Sequence, residues 1–288
     1  MRIVAAFHPY QLPSELETSH ALSALADLWR QRGHDVVFVR GTEAVEADLA
    51  IVHVDLSVVP RSFARWARSY PCAVNDRILD IRKTAFGARR VRWGDSYDGP
   101  VFVKSVFNAA AFPERKRRAR SPLMRALRRS VGLSAEPRLD FIKRYRHYAS
   151  ARQVSWKTWI DPTLIVQPFV PEREGEWYFT RRCFGLGSKA VSYRLGDRTP
   201  IVEGGDPAAF EWVENASEVL SFRQKIGLDY GVIDYTLHEG APVILDVNKT
   251  PGRAYPPDEL SQGRYREILA RVADGLQDFE RPANTVTP

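Results

Sequence analysis

Cysteine is nearly absent: the 288-residue chain has two, Cys72 and Cys183. Two thiols cannot build a disulfide framework, which points to a reducing, cytoplasmic setting. No apolar run approaches the length of a transmembrane helix, and the opening MRIVAAFHPY lacks the long hydrophobic stretch of a secretory leader, so no membrane partner is expected. The six histidines fall in no paired metal-binding spacing such as HExxH. No GxGxxG follows the first strand-like run, so a dinucleotide-binding fold has no motif support. Residues 115–129 hold eight Lys and Arg residues and no acidic one, so the run cannot neutralise itself and must face water or an anion.

What is present is an ordinary globular composition, 44% hydrophobic and 27% charged, in a chain long enough for about two domains. The net charge of +7 suggests an anionic partner without specifying nucleotide, nucleic acid or lipid. Arg2–Phe7 reads as a buried strand. Ser14 and Glu17 have capping-box spacing ahead of one helix carrying Leu16, Leu22, Leu25, Leu28 and Trp29, which Gly33 ends. Strands at 36–39, 49–54 and 72–74, with a helix at 61–70, complete an alternating pattern that predicts a parallel sheet. Ligands of such sheets sit at the strands' carboxyl ends. His8, Pro9 and Tyr10 fall there, as do His53 and Asp55, with loop packing or helix capping as the plainer role for each.

Beyond this unit, strands are expected at 89–93, 101–104, 164–170, 177–184, 189–194 and 199–202, with helices at 212–225 and 260–279 and a frayed tail at 281–288. Residues 114–132 read as a solvated basic loop, and 138–148 as a basic but aromatic segment. Residues 231–252, GVIDYTLHEGAPVILDVNKTPG, read as a hairpin. Ile244, Asp246 and Asn248 share one face of its second strand. A three-residue loop, Glu239-Gly240-Ala241, sets Asp234 across from Asp246, whereas a two-residue loop puts them on opposite faces. In the first register two carboxylates and an amide oxygen converge, a set that suits a hard cation such as Mg²⁺; the plainer alternative is an exposed hairpin with scattered polar residues.

The order of these pieces resembles the ATP-grasp superfamily, in the branch of glutathione synthetase, D-alanine–D-alanine ligase and RimK-type ligases. A small parallel α/β domain precedes Lys83 in DIRK and Lys104 in VFVK; an apolar strand and acidic loop follow, then Asp234 with DVNKTPG. The resemblance implies an α/β (α+β) ATP-grasp fold with an N-terminal parallel-sheet pre-ATP-grasp domain at 1–82. One ATP-grasp subdomain, carrying the basic loop 114–130, would follow at 83–165, and a second with hinge and metal site at 166–288. It implies a ligase that activates a carboxylate as an acylphosphate with ATP and joins it to an amine or thiol, releasing ADP and phosphate. Two Mg²⁺ or Mn²⁺ ions on Asp234, Asp246 and Asn248 would offset the phosphate charge. Lys83 and Lys104 match the family's phosphate-binding lysines. Gln167, Phe169 and Val170 match the adenine hinge, and Glu174 or Glu176 the ribose contact. Arg181 and Lys104 match groups at the transferred phosphate, with Arg182 on the opposite face as a structural residue or surface ion pair.

The chain departs from that pattern in three places. Asp246 stands where many relatives carry Glu, Gln167 where Glu is common, and SVFNAAAFPERKRRAR, without glycine until Gly132, where a glycine-rich phosphate loop is usual. The last departure keeps a second reading open, a nucleotide-binding regulator with little catalysis. Nucleic-acid binding through the basic loop is a third reading, disfavoured because few aromatics interleave with the charge.

Overall fold

The apolar run RIVAAF becomes β1 (Arg2–Phe7), and Ile3 through Phe7 are wholly buried. In the computed structural model, which describes residues 1–18, 20–130, 146–202, 207–252 and 259–280, β1 lies between β2 (Asp35–Arg40) and β3 (Leu49–Val52), with β4 (Cys72–Val74) beyond β3. All three pairings are parallel, as the alternating pattern predicts. The first helical stretch is two helices rather than one, α1 (Pro13–Thr18) and α2 (Ala21–Gln31). The side chain that reaches back to the start of α1 is Glu15, which accepts from Leu12 N at 3.1 Å, so the capping residues lie earlier than Ser14 and Glu17. α3 (Arg61–Ala67) completes this layer.

A three-stranded antiparallel sheet follows, in which β5 (Val101–Ser105) lies between β6 (Arg146–Tyr148) and β7 (Leu164–Pro168). The basic stretch between β5 and β6 is not a loop where it is described. It forms α4 (Phe112–Ala119) and α5 (Pro122–Ser130). Residues 89–93 do not form a strand, although Val91 N donates to Val166 O at 2.9 Å along the edge of β7. α6 (Trp156–Ile160) precedes β7. The expected basic, aromatic segment lies mostly outside the described residues, as does the tail 281–288.

The largest sheet is antiparallel. β8 (Glu172–Glu174) pairs with β9 (Trp177–Leu186), which continues into β10 (Lys189–Asp197) and β11 (Ala209–Val213) on one side. On the other side lie β12 (Tyr230–His238) and β13 (Ala241–Asn248). The expected strand at 199–202 is absent and β11 takes the outer place. Trp212 therefore belongs to a strand, and α7 runs only over Ser217–Lys225. The last helix, α8 (Glu259–Ala273), ends in a 3-10 turn at Asp274–Phe279.

One apolar cluster joins the N-terminal sheet to the large sheet: Ile3, Phe7 and Trp29 pack in the same core as Phe184, Tyr230, Ile268 and Val272. Trp29 Nε1 donates to Ala273 O at 3.2 Å across that seam. The seam fixes where the carboxyl ends of β1 and β3 stand relative to the β12–β13 hairpin. No described helix is long and apolar enough to cross a membrane.

Candidate active site

The β12–β13 turn has two residues, since His238 pairs with Ala241. Glu239 and Gly240 have φ of 52° and 80°, the sign required by the mirror-image turns that suit strand twist. A regular ladder from this turn would place Asp234 and Asp246 on opposite faces. The ladder is not regular. Tyr235 pairs with Ile244 and Asp234 with Asp246, which leaves Leu245 as an extra residue in a β-bulge. The bulge supplies the one-residue shift that a three-residue loop would have given. Asp234, Asp246 and Asn248 consequently share a face, because Val232 pairs with Asn248 two steps further on.

Both sequence-selected lysines arrive at this hairpin. Lys83, nearly wholly buried, stands 3.1 Å from Asp246 and donates to Phe107 O at 3.3 Å. Lys104, at the buried end of β5, donates to Leu245 O at 2.8 Å. Burial, then the neighbouring Lys83 charge, pushes the Lys104 ammonium down to about 8, while Asp246 and Asp234 pull the other way. Asp234 is itself raised, chiefly by burial, with Asp246 adding and the Arg182 charge opposing.

Arg182 is the arginine on this side of the sheet: its Nε lies 3.0 Å from Asp234 Oδ1, and β9 sets Arg182 opposite Asp234. The Asp234 charge, ahead of burial, holds the Arg182 guanidinium above its usual range. Arg181, the expected catalytic arginine, is instead held by Glu172, with Nε 2.9 Å from both carboxylate oxygens and a terminal nitrogen 2.7 Å from Oε1. Glu172 Oε2 also accepts from Leu237 N at 3.0 Å. Successive residues of a strand face opposite ways, so the two arginines cannot both reach the carboxylates.

Two cavities share Asp234. One is lined by Lys104, Phe102, Gln167, Phe169, Val170 and Asp246. The whole expected hinge therefore faces a single cleft with the first lysine-bearing strand. Phe102 and Phe169 rings lie 6.1 Å apart and nearly parallel. Gln167 donates Nε2 to Arg89 O at 3.1 Å, while its Oε1 is buried with no hydrogen-bond partner. Neither expected ribose contact lines this cleft. Glu174 is bound by Arg194, with one contact at 3.1 Å, and Glu176 is exposed beside the Gly175 turn. The other cavity is lined by Arg182, Tyr193, Phe210, Asp234, Asn248 and Arg264, among others.

Asp234 Oδ1 is buried without a hydrogen bond, its contact to Arg182 being an ion pair of poor alignment. Among the described residues no group of three His, Cys, Asp or Glu side chains forms a metal cluster. Two carboxylates and one amide oxygen remain, an all-oxygen set with an unsatisfied buried acceptor, which fits a hard cation that keeps other ligands from phosphate and water. Asn248 is held by Thr250 N, which donates to its Oδ1 at 3.0 Å.

The segment after β5 carries the largest backbone departure. Ala109, Ala110 and Ala111 all have positive φ, at 45°, 52° and 60°. Three consecutive L-residues in the left-handed region cost about 1–2 kcal/mol each. Ser57, in the loop after β3, clamps this turn: Asn108 N donates to Ser57 Oγ at 2.8 Å, and Ser57 N donates to Glu114 Oε1 at 2.8 Å. The basic helices that follow are partly neutralised from outside the run, since Lys116 Nζ lies 2.9 Å and Arg120 3.2 Å from Glu15.

Sequence reasoning passed over Lys249. It is wholly buried, and its Nζ donates to Val54 O at 2.6 Å and Leu56 O at 2.7 Å. Burial pushes it down to about 8. Beside it, Thr250 donates to Asp55 Oδ1 at 3.1 Å, so Asp55 anchors the loop after Asn248. His53 is wholly buried among the rings of Phe7, His20 and Tyr230, the packing role rather than a ligand-facing one. His8 Nδ1 accepts from Tyr10 N at 3.2 Å, and the Tyr10 hydroxyl donates to Asp55 O at 2.6 Å.

No family model matches the chain. Over 100 residues, 32% of this chain, it is 33% identical to a probable alpha-L-glutamate ligase of Parasynechococcus marenigrum (strain WH8102), of which it covers 21%. Over 96 residues, 31% of this chain, it is 34% identical to a probable alpha-L-glutamate ligase of Xanthomonas euvesicatoria pv. vesicatoria (strain 85-10), of which it covers 32%. The match thus spans about a fifth to a third of the length of these curated relatives. Among solved structures, the chain is similar to a RimK domain protein ATP-grasp from Sphaerobacter thermophilus DSM 20745, at TM-score 0.45 and 14% identity over 95% of this chain and 99% of that one. It is also similar to D-alanine–D-alanine ligase from Bacillus anthracis complexed with ATP, at TM-score 0.46 and 12% identity over 97% and 98%.

Proposed function

We propose that this chain is an ATP-dependent ligase that activates a carboxylate as an acylphosphate and joins it to an amine or thiol. The observation that carries the reading is the placement of Asp234, Asp246 and Asn248 on one hairpin face, with Lys83 and Lys104 buried against that hairpin and a cavity on either side of Asp234. Names of the curated relatives support it, and the alpha-L-glutamate ligases among them suggest an amino-acid substrate.

ATP occupies the cleft between Phe102, Phe169 and Val170, where apolar side chains cover the base and the unsatisfied Gln167 Oε1 accepts from an exocyclic amine. Lys83 and Lys104 meet the phosphates as point charges. Asp234, Asp246 and Asn248 hold Mg²⁺ or Mn²⁺, which when bound neutralises the charge that accumulates on the phosphates during transfer. Arg182, poised against Asp234, is the guanidinium that faces the transferred group. A substrate carboxylate oxygen attacks the γ-phosphorus and ADP leaves. The nucleophile then attacks the acyl carbon, the carbon–oxygen bond to phosphate breaks, and the nucleophile's proton passes to solvent as phosphate departs.

The test is calorimetric titration of Mg-ATP into wild type and Asp246→Asn, followed by ADP release across amino acids, peptides and small carboxylates paired with amines or thiols. Asp246→Asn is expected to weaken Mg-ATP at least tenfold with its melting transition retained, and wild type to release ADP with at least one pair. Unchanged Mg-ATP affinity in Asp246→Asn overturns the metal assignment. Tight Mg-ATP binding with no ADP released by any pair favours the regulator reading instead.

A further inference from the structure

The cavity on the Arg182 side of Asp234 has a chemistry of its own. Its volume is about 240 Å³, and Phe184, Leu195, Phe210 and Ile268 give it apolar walls. Two guanidiniums line it, and they differ in what they meet. Arg182 is compensated by Asp234 at 3.0 Å. Arg264, projecting from α8, has its guanidinium carbon 4.9 Å from the centroid of the Phe210 ring, and no carboxylate among the described residues pairs with it. A guanidinium over a ring is held in place by the ring face while its N–H groups stay available at the edge. Such a fork matches a carboxylate in a bidentate manner, and the apolar wall beneath supplies a surface for the carbon skeleton.

We propose that this cavity binds an organic acid with an apolar body, its carboxylate taken by Arg264 and its skeleton lying on Phe210, Tyr193 and Ile268. That the bound molecule is the ligase's substrate rests on the reading above, and the binding itself does not. In the ligase, Arg264 is then a specificity-determining residue, and the substrate carries two functional ends: one reacting beside Asp234 and one anionic group recognised by Arg264.

The probes are 3-phenylpropanoate and its neutral isostere 3-phenylpropanamide, titrated calorimetrically into wild type, Arg264→Gln and Arg264→Lys, with melting curves for each protein. Wild type is expected to bind the carboxylate at least tenfold more tightly than the amide. Arg264→Gln should bind the two alike with its amide affinity unchanged, and Arg264→Lys should recover part of the preference. Should Arg264→Gln lose its melting transition, Arg264→Lys decides, a weakened preference supporting the assignment. Equal or absent binding of both probes to wild type overturns the proposal, as does an undiminished preference in whichever folded variant decides. Mg-ATP titrated into the same proteins separates the two readings. A carboxylate preference that depends on Arg264 without Mg-ATP binding removes the ligase and leaves this site. Normal Mg-ATP binding without that preference removes this site and leaves the ligase.

Discussion

Lys104 donates to the carbonyl of Leu245 at 2.8 Å, and Leu245 is the residue that the β12–β13 ladder leaves without a partner. The bulge therefore has two effects. It turns Asp246 to the same face as Asp234, and it frees a carbonyl that orients one of the two ammonium groups buried against the hairpin. The pairing of lysine and bulge ties the middle sheet to the hairpin beside Asp246.

From that relationship follows the first expectation. A lysine that merely lays its stem on the sheet tolerates Lys→Met, because the apolar volume is similar. Lys83→Met and Lys104→Met are each expected to weaken Mg-ATP binding by about 1.5–3 kcal/mol, the worth of a charge-assisted hydrogen bond. Calorimetry at fixed magnesium measures it, and wild-type affinity in both variants removes the lysines from the site.

The adjacent arginines should separate cleanly. Arg181 closes a bidentate pair on Glu172, which also accepts from Leu237 N, so Arg181→Met leaves a nearly buried carboxylate short of its partner. That variant is expected to lose about 3 kcal/mol of stability while binding Mg-ATP normally. Arg182→Met should do the reverse, keeping most of its melting temperature while ADP release falls at least tenfold. Equal effects of the two on turnover would contradict the facing described here.

The left-handed alanines reverse a familiar sign. Alanine to glycine usually destabilises regular structure by about 0.5–1 kcal/mol. At Ala110, with φ of 52°, glycine adopts the observed conformation without the Cβ clash, so Ala110→Gly is expected to stabilise by about 1 kcal/mol. A urea denaturation series reads the change. A loss of stability would mean that the turn is not left-handed in solution.

Glu15 of α1 holds the end of α4 through Lys116 and Arg120. Burial would raise its carboxyl, but the hydrogen bond from Lys116 and the charges of Lys116 and Arg120 outweigh burial and hold it below the usual range. Its contribution to stability is thus present above the ordinary carboxylate pKa of about 4.3 and is lost as the pH falls through the lower folded value. Glu15→Gln should be less stable than wild type at neutral pH, and the two should converge in acid. Limited trypsin digestion at neutral pH should cut Glu15→Gln faster at Arg117, Arg118 and Arg120. Identical digestion rates would show that the helices are held elsewhere.

The sequence by itself indicated that the first four strands form a parallel sheet, because each is an apolar run bounded by helix and turn signals that act over a few residues. It also offered Asp234, Asp246 and Asn248 as one cluster in one of two hairpin registers, while Lys83 and Lys104 joined that set only through the resemblance to a known family. Only the tertiary structure decided how they meet. Whether Asp234 and Asp246 share a face turned on one extra residue in a ladder, and the energies of a bulged and a regular hairpin differ too little for local spacing to choose between them. The choice between Arg181 and Arg182 depended on which face of β9 received Glu172 from β8 and which received Asp234 from β12. The partner of the acid-free basic run, Glu15, lies 101 positions before Lys116. Lys249 finds its two carbonyls 195 and 193 positions away, which no periodicity in the chain encodes. The contacts of Lys116 and Lys249 join the N-terminal elements to later parts of the chain, so they form only when both are folded.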